Sequence, residues 1–217
     1  MRKTPRNKVA RNPKIYGGKP AELACDPGSN PGQGVLFHNG GNLAAEELID
    51  EVDKKGDIVA TYPKSELKKR MFLHKAALII PRTFDNKFLL GKRAKDKEPY
   101  ADTLCCAVGG KISSGESAEK AAMREMHEEA GKEYPLEEVT SFVYDGDEYK
   151  AIFTIFTTKI PINPEDLRLD PRETQYLEAL SIEEILDNVN KNPEKFAPTF
   201  VAAFEGFAKA VNKGINV

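Results

Sequence analysis

Between Gly110 and Lys132 the chain reads GKISSGESAEKAAMREMHEEAGK, and this stretch constrains the fold more than any other. Lys111-Ile-Ser-Ser-Gly115 is turn-rich, Ser117 to Ala130 is built from strong helix formers, and Gly131 stops the run. A loop feeding a capped helix is therefore expected. At roughly 100° per residue, Glu125, Glu128 and Glu129 share one arc of that helix, while Ala122, Met123, Met126 and Ala130 form a separate apolar stripe. The stripe is expected against a core and the acids toward a cleft, with Ala118 and Ala121 on the acidic side leaving room for a bulky group. Like charges at these spacings repel by roughly a few tenths of a kcal/mol per pair, so they weaken the helix unless a cation bridges them. Oxygen-only donors at this density suit Mg²⁺, with Mn²⁺ as the alternative, and not zinc.

An acidic helix face alone usually means only a solvated surface. The full pattern is more specific: Gly110, Glu116, Arg124-Glu125-Met126, Glu128-Glu129 and Gly131, at these separations, resemble the signature of the Nudix hydrolases, the Nudix box. Its fixed positions would coincide by chance with a probability on the order of 10⁻⁸ per register, which outweighs the solvated-face reading. Lys132 departs from the family's usual aliphatic residue, a difference that bears on packing beyond the helix end.

The resemblance implies a divalent-metal-dependent hydrolase of diphosphate linkages in nucleoside diphosphate derivatives or related compounds. It implies metal ligation by Glu125, Glu128 and Glu129, with the backbone carbonyl of Gly109 or Gly110 adding a further oxygen. Arg124 is expected to orient the acids through bidentate pairing. Glu116 is expected to brace the loop or to reach the metal through water. The general base is either a box glutamate or an acid on a later loop, Glu148 first and Glu173 second; Arg93 and Lys111 are assigned to substrate binding.

Similarity to one branch runs from about Glu46 to Phe204. ELIDEVDKKGDIVATYPKSELKKRMFLHKA, the paired cysteines before the glycines, and NPEKFAPTF are similar to isopentenyl-diphosphate isomerase and its hydrolase relatives. The isomerase is the alternative function. Cys106, His74 and Glu148 match its cysteine, one metal histidine and one glutamate. Leu67, Val108 and Gly146 stand where its other ligands are expected, and the box here keeps all its acids. Cys106 is accordingly expected as a small buried hydrophobe and His74 as a strand-edge residue. A third reading, a non-catalytic binding module, is disfavoured by the same intact acids.

With 217 residues, 40% hydrophobic and 30% charged, the chain has room for one sizeable core plus an extension. A net charge of −2 and a pI near 6.0 give no overall pull toward nucleic acid or membrane. Three cysteines, two of them adjacent, do not make a disulfide framework. No apolar run has the length of a membrane span, so a cytoplasmic protein is expected. A small-molecule diphosphate is the expected partner, a homodimer is allowed, and RNA is the less favoured ligand.

Residues 1 to 45 read as a basic, Gly- and Pro-rich extension, and 46 to 217 as the domain. Met1 to Lys19 holds Lys and Arg but no acid, and a solvated tail is preferred over an RNA-binding arm. A short strand is expected at Val35-Leu36-Phe37. Glu47 to Asp53 and Asp57 to Thr61 should form a hairpin through Lys54-Lys55-Gly56, followed by a short helix from Pro63 to Arg70. Ala76 to Ile80 and Lys87 to Arg93 are expected as a second antiparallel pair. Ala94 to Thr103 should be a loop bordering the cleft, with Leu104 to Val108 leading into a Gly109-Gly110 turn. Strands at Val139 to Tyr144, Ala151 to Lys159 and Gln175 to Leu180 precede a helix opened by the capping box Ser181 to Glu184. A last helix from Pro198 carries Phe200, Val201, Phe204, Phe207 and Ala208 on one face. This order predicts an α+β fold, an α/β/α sandwich around a central mixed sheet, as the resemblance also implies.

Overall fold

The computed structural model describes residues 46–212. The extension, its expected strand at Val35-Leu36-Phe37 and its basic arm lie outside the described residues.

The first hairpin is as expected. β1 (Leu48–Val52) pairs antiparallel with β2 (Ile58–Pro63), and the connecting turn places Gly56 at φ 91°, where a side chain is rarely tolerated. Pro63 closes β2 instead of opening a helix. A 3-10 turn at Lys64–Glu66 and the one-turn α1 (Leu67–Arg70) follow.

The central sheet has the order β6-β3-β8-β7. β3 (His74–Ile79) pairs antiparallel with β6 (Val108–Lys111) and parallel with β8 (Lys150–Thr158), and β7 (Leu136–Asp145) pairs antiparallel with β8. A second, antiparallel sheet has the order β5 (Leu104–Cys106), β4 (Phe88–Arg93), β9 (Thr174–Leu180). Side chains alternate along β3, so Ala77 and Ile79 join the cluster under α2 (Ala118–Ala130), while Ala76 joins the cluster under α4 (Pro198–Asn212). Helices thus cover both faces, the α/β/α sandwich expected. On α4 the fully buried Phe200, Phe204 and Phe207 stack in series at centroid separations of 5.5 and 5.9 Å. Each contributes roughly 1.5–3 kcal/mol of apolar burial. α3 (Ile182–Lys191) opens with the complete Ser181–Glu184 capping box and buries Ile185.

Three expectations are corrected. β3 and β4 do not pair with each other: both hydrogen-bonding edges of β3 go to β6 and β8, and both edges of β4 to β5 and β9. The turn at Phe84 to Lys87 is real, with Asn86 at φ 58°, but one isolated bridge, Arg82 to Phe88, is all the pairing it produces. Gly109 and Gly110 are not a turn either; they lie within β6 opposite Leu78 and Ala77. On α2 the apolar stripe is rotated. Ala121 is fully buried, whereas Met123 is 39% exposed, because the helix leans its acid row into the sheet edge.

Candidate active site

The box forms by local rules. Ser117 caps α2 by accepting from the Lys120 amide at 3.3 Å, and Gly131 ends it in the left-handed conformation at φ 68°, its amide donating to the His127 carbonyl. The loop before it is held by Glu116, which accepts from the Ser113 amide at 3.1 Å.

Arg124 links loop and helix. Its Nε and one terminal nitrogen donate to the two oxygens of Glu116, each at 3.0 Å, and that same terminal nitrogen also reaches the Lys111 carbonyl at 3.1 Å. The other terminal nitrogen donates to Glu125 at 2.7 Å and to Glu128 at 3.4 Å. The Glu116 pairing, followed by Glu125, holds the guanidinium well above its ordinary pKa.

Two glycines let the acids cross the sheet edge. A Cβ on Gly110 would stand 2.0 Å from Glu125 Oε1, so this carboxylate occupies the space a side chain would need. Gly109 is backed by the Ala77 carbonyl, 2.8 Å from where its Cβ would be, and its amide donates to Glu129 Oε2 at 3.1 Å. Burial pushes the Glu129 carboxyl up to about 8 and also raises Glu125. Glu128 is exposed.

Among the described residues, no three carboxylate, imidazole or thiol groups stand as a preformed metal cage. The donor set nevertheless fits a hard divalent cation. Three carboxylates on one face offer only oxygen, and two of them carry a desolvation cost that the protein's own groups leave uncompensated.

These acids open onto a cleft of about 860 Å³. Its charged walls include Lys97, Lys111 and Glu173, with Glu47 and Lys64 reaching it from the first hairpin. Lys64 pairs with Glu47 at 2.5 Å, and Glu47 also accepts from Ser113 Oγ at 2.8 Å. Lys111 is half-buried, and desolvation followed by Lys64 lowers its pKa. Ala76 and Leu78 from β3, Phe153 from β8, Phe200 from α4, and Tyr149 also line the cleft, and all five belong to or pack against one apolar cluster.

Arg93 lines the cleft, but one of its terminal nitrogens donates to the carbonyls of Lys97 and Pro99 at 2.9 and 2.8 Å. It anchors the loop at 94–103. Glu173 also lines the cleft and pairs with Lys97. Glu148 stands exposed on the turn between β7 and β8, outside the lining residues. Cys106 is buried in β5, which pushes its thiol well above the ordinary range. His74 is not the edge residue expected. It is 2% exposed, and its neighbour Tyr149 went unnoticed in the sequence because nothing local marks the contact.

Comparison with known proteins agrees with this geometry. The family model of the NUDIX domain matches residues 72–200, and the chain belongs to that family. Over 101 residues it is 36% identical to an isopentenyl-diphosphate Delta-isomerase 2 of Photorhabdus laumondii, a match spanning 46% of this chain and 56% of that protein. Over 168 residues it is 27% identical to a prenyl-diphosphate phosphatase of Methanosarcina mazei, spanning 77% of this chain and 96% of that one. The crystal structure of DR0079 from Deinococcus radiodurans superimposes with a TM-score of 0.56 at 18% identity, covering 67% of this chain and 90% of the other. No helix among the described residues is long and apolar enough to cross a membrane.

Proposed function

We propose that this Nudix-type diphosphate hydrolase is divalent-metal-dependent and acts on an organic diphosphate whose other end is apolar, an isoprenoid diphosphate in the first instance. The observation that carries the reading is the two-part cleft, with Glu125, Glu128 and Glu129 serving one part and Leu78, Phe153 and Phe200 lining another. Similarity to a prenyl-diphosphate phosphatase over most of both chains supports it. A nucleoside diphosphate derivative is the second reading, favoured by the aromatic rings of Tyr149 and Phe153, on which a base could stack.

Glu125, Glu128 and Glu129 would hold Mg²⁺ or Mn²⁺, with a carbonyl of Gly109 or Gly110 added by family resemblance. When bound, the cation neutralises diphosphate charge and lowers the pKa of a coordinated water. Glu116, with both oxygens engaged by Arg124, braces the loop. Lys111 and Lys97 face the substrate's phosphates, and Arg93 shapes the loop that carries Lys97. Glu173 is the better-placed general base, since it lines the cleft and Glu148 does not. Its carboxylate would take the proton of the attacking water as the P–O bond breaks.

The test is a panel of prenyl and nucleoside diphosphates, with products identified by mass. Phosphate-containing product should appear only with Mg²⁺ or Mn²⁺, and turnover unaffected by excess chelator would rule the mechanism out. Glu173→Gln should lower kcat far more than Glu148→Gln. Conversion of isopentenyl to dimethylallyl diphosphate, abolished by Cys106→Ala, would establish the isomerase instead.

A further inference from the structure

We propose that Tyr149, pinned by His74, sets how far an apolar substrate tail can reach into the cleft. The inference rests on the isoprenoid reading above and names the residue pair that selects among chain lengths.

Tyr149 lies in the turn before β8, where a phenol would ordinarily swing freely. Here it is fixed from three directions. Its ring stacks on Phe153 with centroids 5.8 Å apart and an interplanar angle of 8°. Its backbone carbonyl accepts from the Gly146 amide at 3.0 Å. Its hydroxyl lies 3.1 Å from His74 Nε2. The direction of that last bond follows from the other side of the ring. His74 Nδ1 is 3.2 Å from the Phe72 carbonyl, which can only accept, so Nδ1 carries the proton and Nε2 accepts from Tyr149.

Both ring nitrogens of His74 are thereby used, and the side chain is almost fully buried at the start of β3. A buried imidazole carries a desolvation cost that an aliphatic residue would not, and here its hydrogen bonds go to the neighbouring backbone and to Tyr149. Tyr149 in turn lines the cleft beside Phe153, Ala76 and Phe200. The other three come from a strand or helix of the packed core. Tyr149 comes from a turn, and the hydrogen bond to His74 is what fixes its hydroxyl end. His74 is accordingly a positioning residue, and Tyr149 the specificity-determining one.

The experiment compares kcat/KM for isopentenyl, geranyl, farnesyl and geranylgeranyl diphosphate in the presence of Mg²⁺, with hydrolysis followed by phosphate release. Tyr149→Leu and Tyr149→Ala should shift the preference toward longer chains, changing the long-to-short ratio by about tenfold, the size of discrimination an apolar pocket gives per small group. His74→Phe, which fills the space but cannot accept the hydroxyl, should shift the ratio in the same direction, and His74→Gln should restore it. A merely structural role would lower activity on all four substrates alike. An unchanged length profile in a folded Tyr149→Leu protein overturns the proposal. Should both Tyr149 variants fail to fold, an unchanged profile in His74→Phe overturns it equally. Wild-type protein that hydrolyses nucleoside but no prenyl diphosphates would instead remove the reading on which it rests, a result visible before any variant is made.

Discussion

Arg124 grips both oxygens of Glu116, with two nitrogens at 3.0 Å each, across the eight positions that separate the box loop from the middle of its helix. A bidentate fork of this kind cannot be reproduced by a point-charge ammonium. Arg124→Lys should therefore keep the fold but lose roughly 2 kcal/mol of transition-state positioning, about thirtyfold in kcat/KM. Glu116→Gln should lose a comparable amount while metal affinity, measured by titration calorimetry, changes little. A large loss of metal affinity in that variant would mean Glu116 is a ligand and not a brace.

The paired glycines separate activity from stability. At Gly110 the obstacle to a Cβ is the Glu125 carboxylate, the far end of a flexible side chain, so Gly110→Ala should fold with a nearly unchanged Tm and lose most turnover. At Gly109 the obstacle is the Ala77 carbonyl, and the strand pair itself must shift. Gly109→Ala should destabilise by roughly 1–3 kcal/mol, read by urea denaturation. Equal effects of the two substitutions on Tm would contradict this division.

These glycines also show where sequence reading stops. Their function depends on Glu125 and Ala77, one later and one earlier in the chain, and an adjacent Gly pair read locally suggests a turn. The same limit explains β3 and β4. Each is an apolar run beside a good turn, and local pattern favours a hairpin, yet each strand buries more by sitting centrally in its own sheet. What was legible is what local chemistry specifies: the Ser117 and Gly131 caps, the Ser181–Glu184 box, and the acid row of α2. Arg93 was legible as a cleft residue, but its donors go to the backbone carbonyls of Lys97 and Pro99, which no composition signals.

Metal binding should appear as stability before it appears as turnover. The carboxyls of Glu125 and Glu129 are raised mainly by burial, so their ionised forms are costly without a cation. Mg²⁺ at about 100 times its dissociation constant should add roughly 2.7 kcal/mol to unfolding. Glu128→Gln and Glu129→Gln should each lose most of that increment while remaining folded in chelator. Full Mg²⁺ stabilisation in both variants would remove these two residues from the ligand set.

His74 gives the protein a pH dependence whose sign can be worked out. Burial lowers its pKa to about 4 in the folded state, against an ordinary value of 6.5. Below 6.5 the unfolded chain takes up a proton that the folded chain refuses, so this contribution to stability is complete above about pH 6.5 and declines as pH falls toward 4. Between those limits the loss approaches about 3 kcal/mol, and by pH 5 it should be about 2 kcal/mol. The raised carboxyls of Glu125 and Glu129 act in the opposite sense, since raised acids favour the folded state as pH falls. Wild type and His74→Gln share those acids, so the difference between the two proteins isolates the imidazole. Urea denaturation at pH 7 and pH 5 in chelator should show wild type losing about 2 kcal/mol more than His74→Gln over that interval. An identical pH response in both proteins would mean that His74 takes up its proton at the same pH in the folded and the unfolded chain, and at pH 5 Nε2 could then no longer accept from Tyr149.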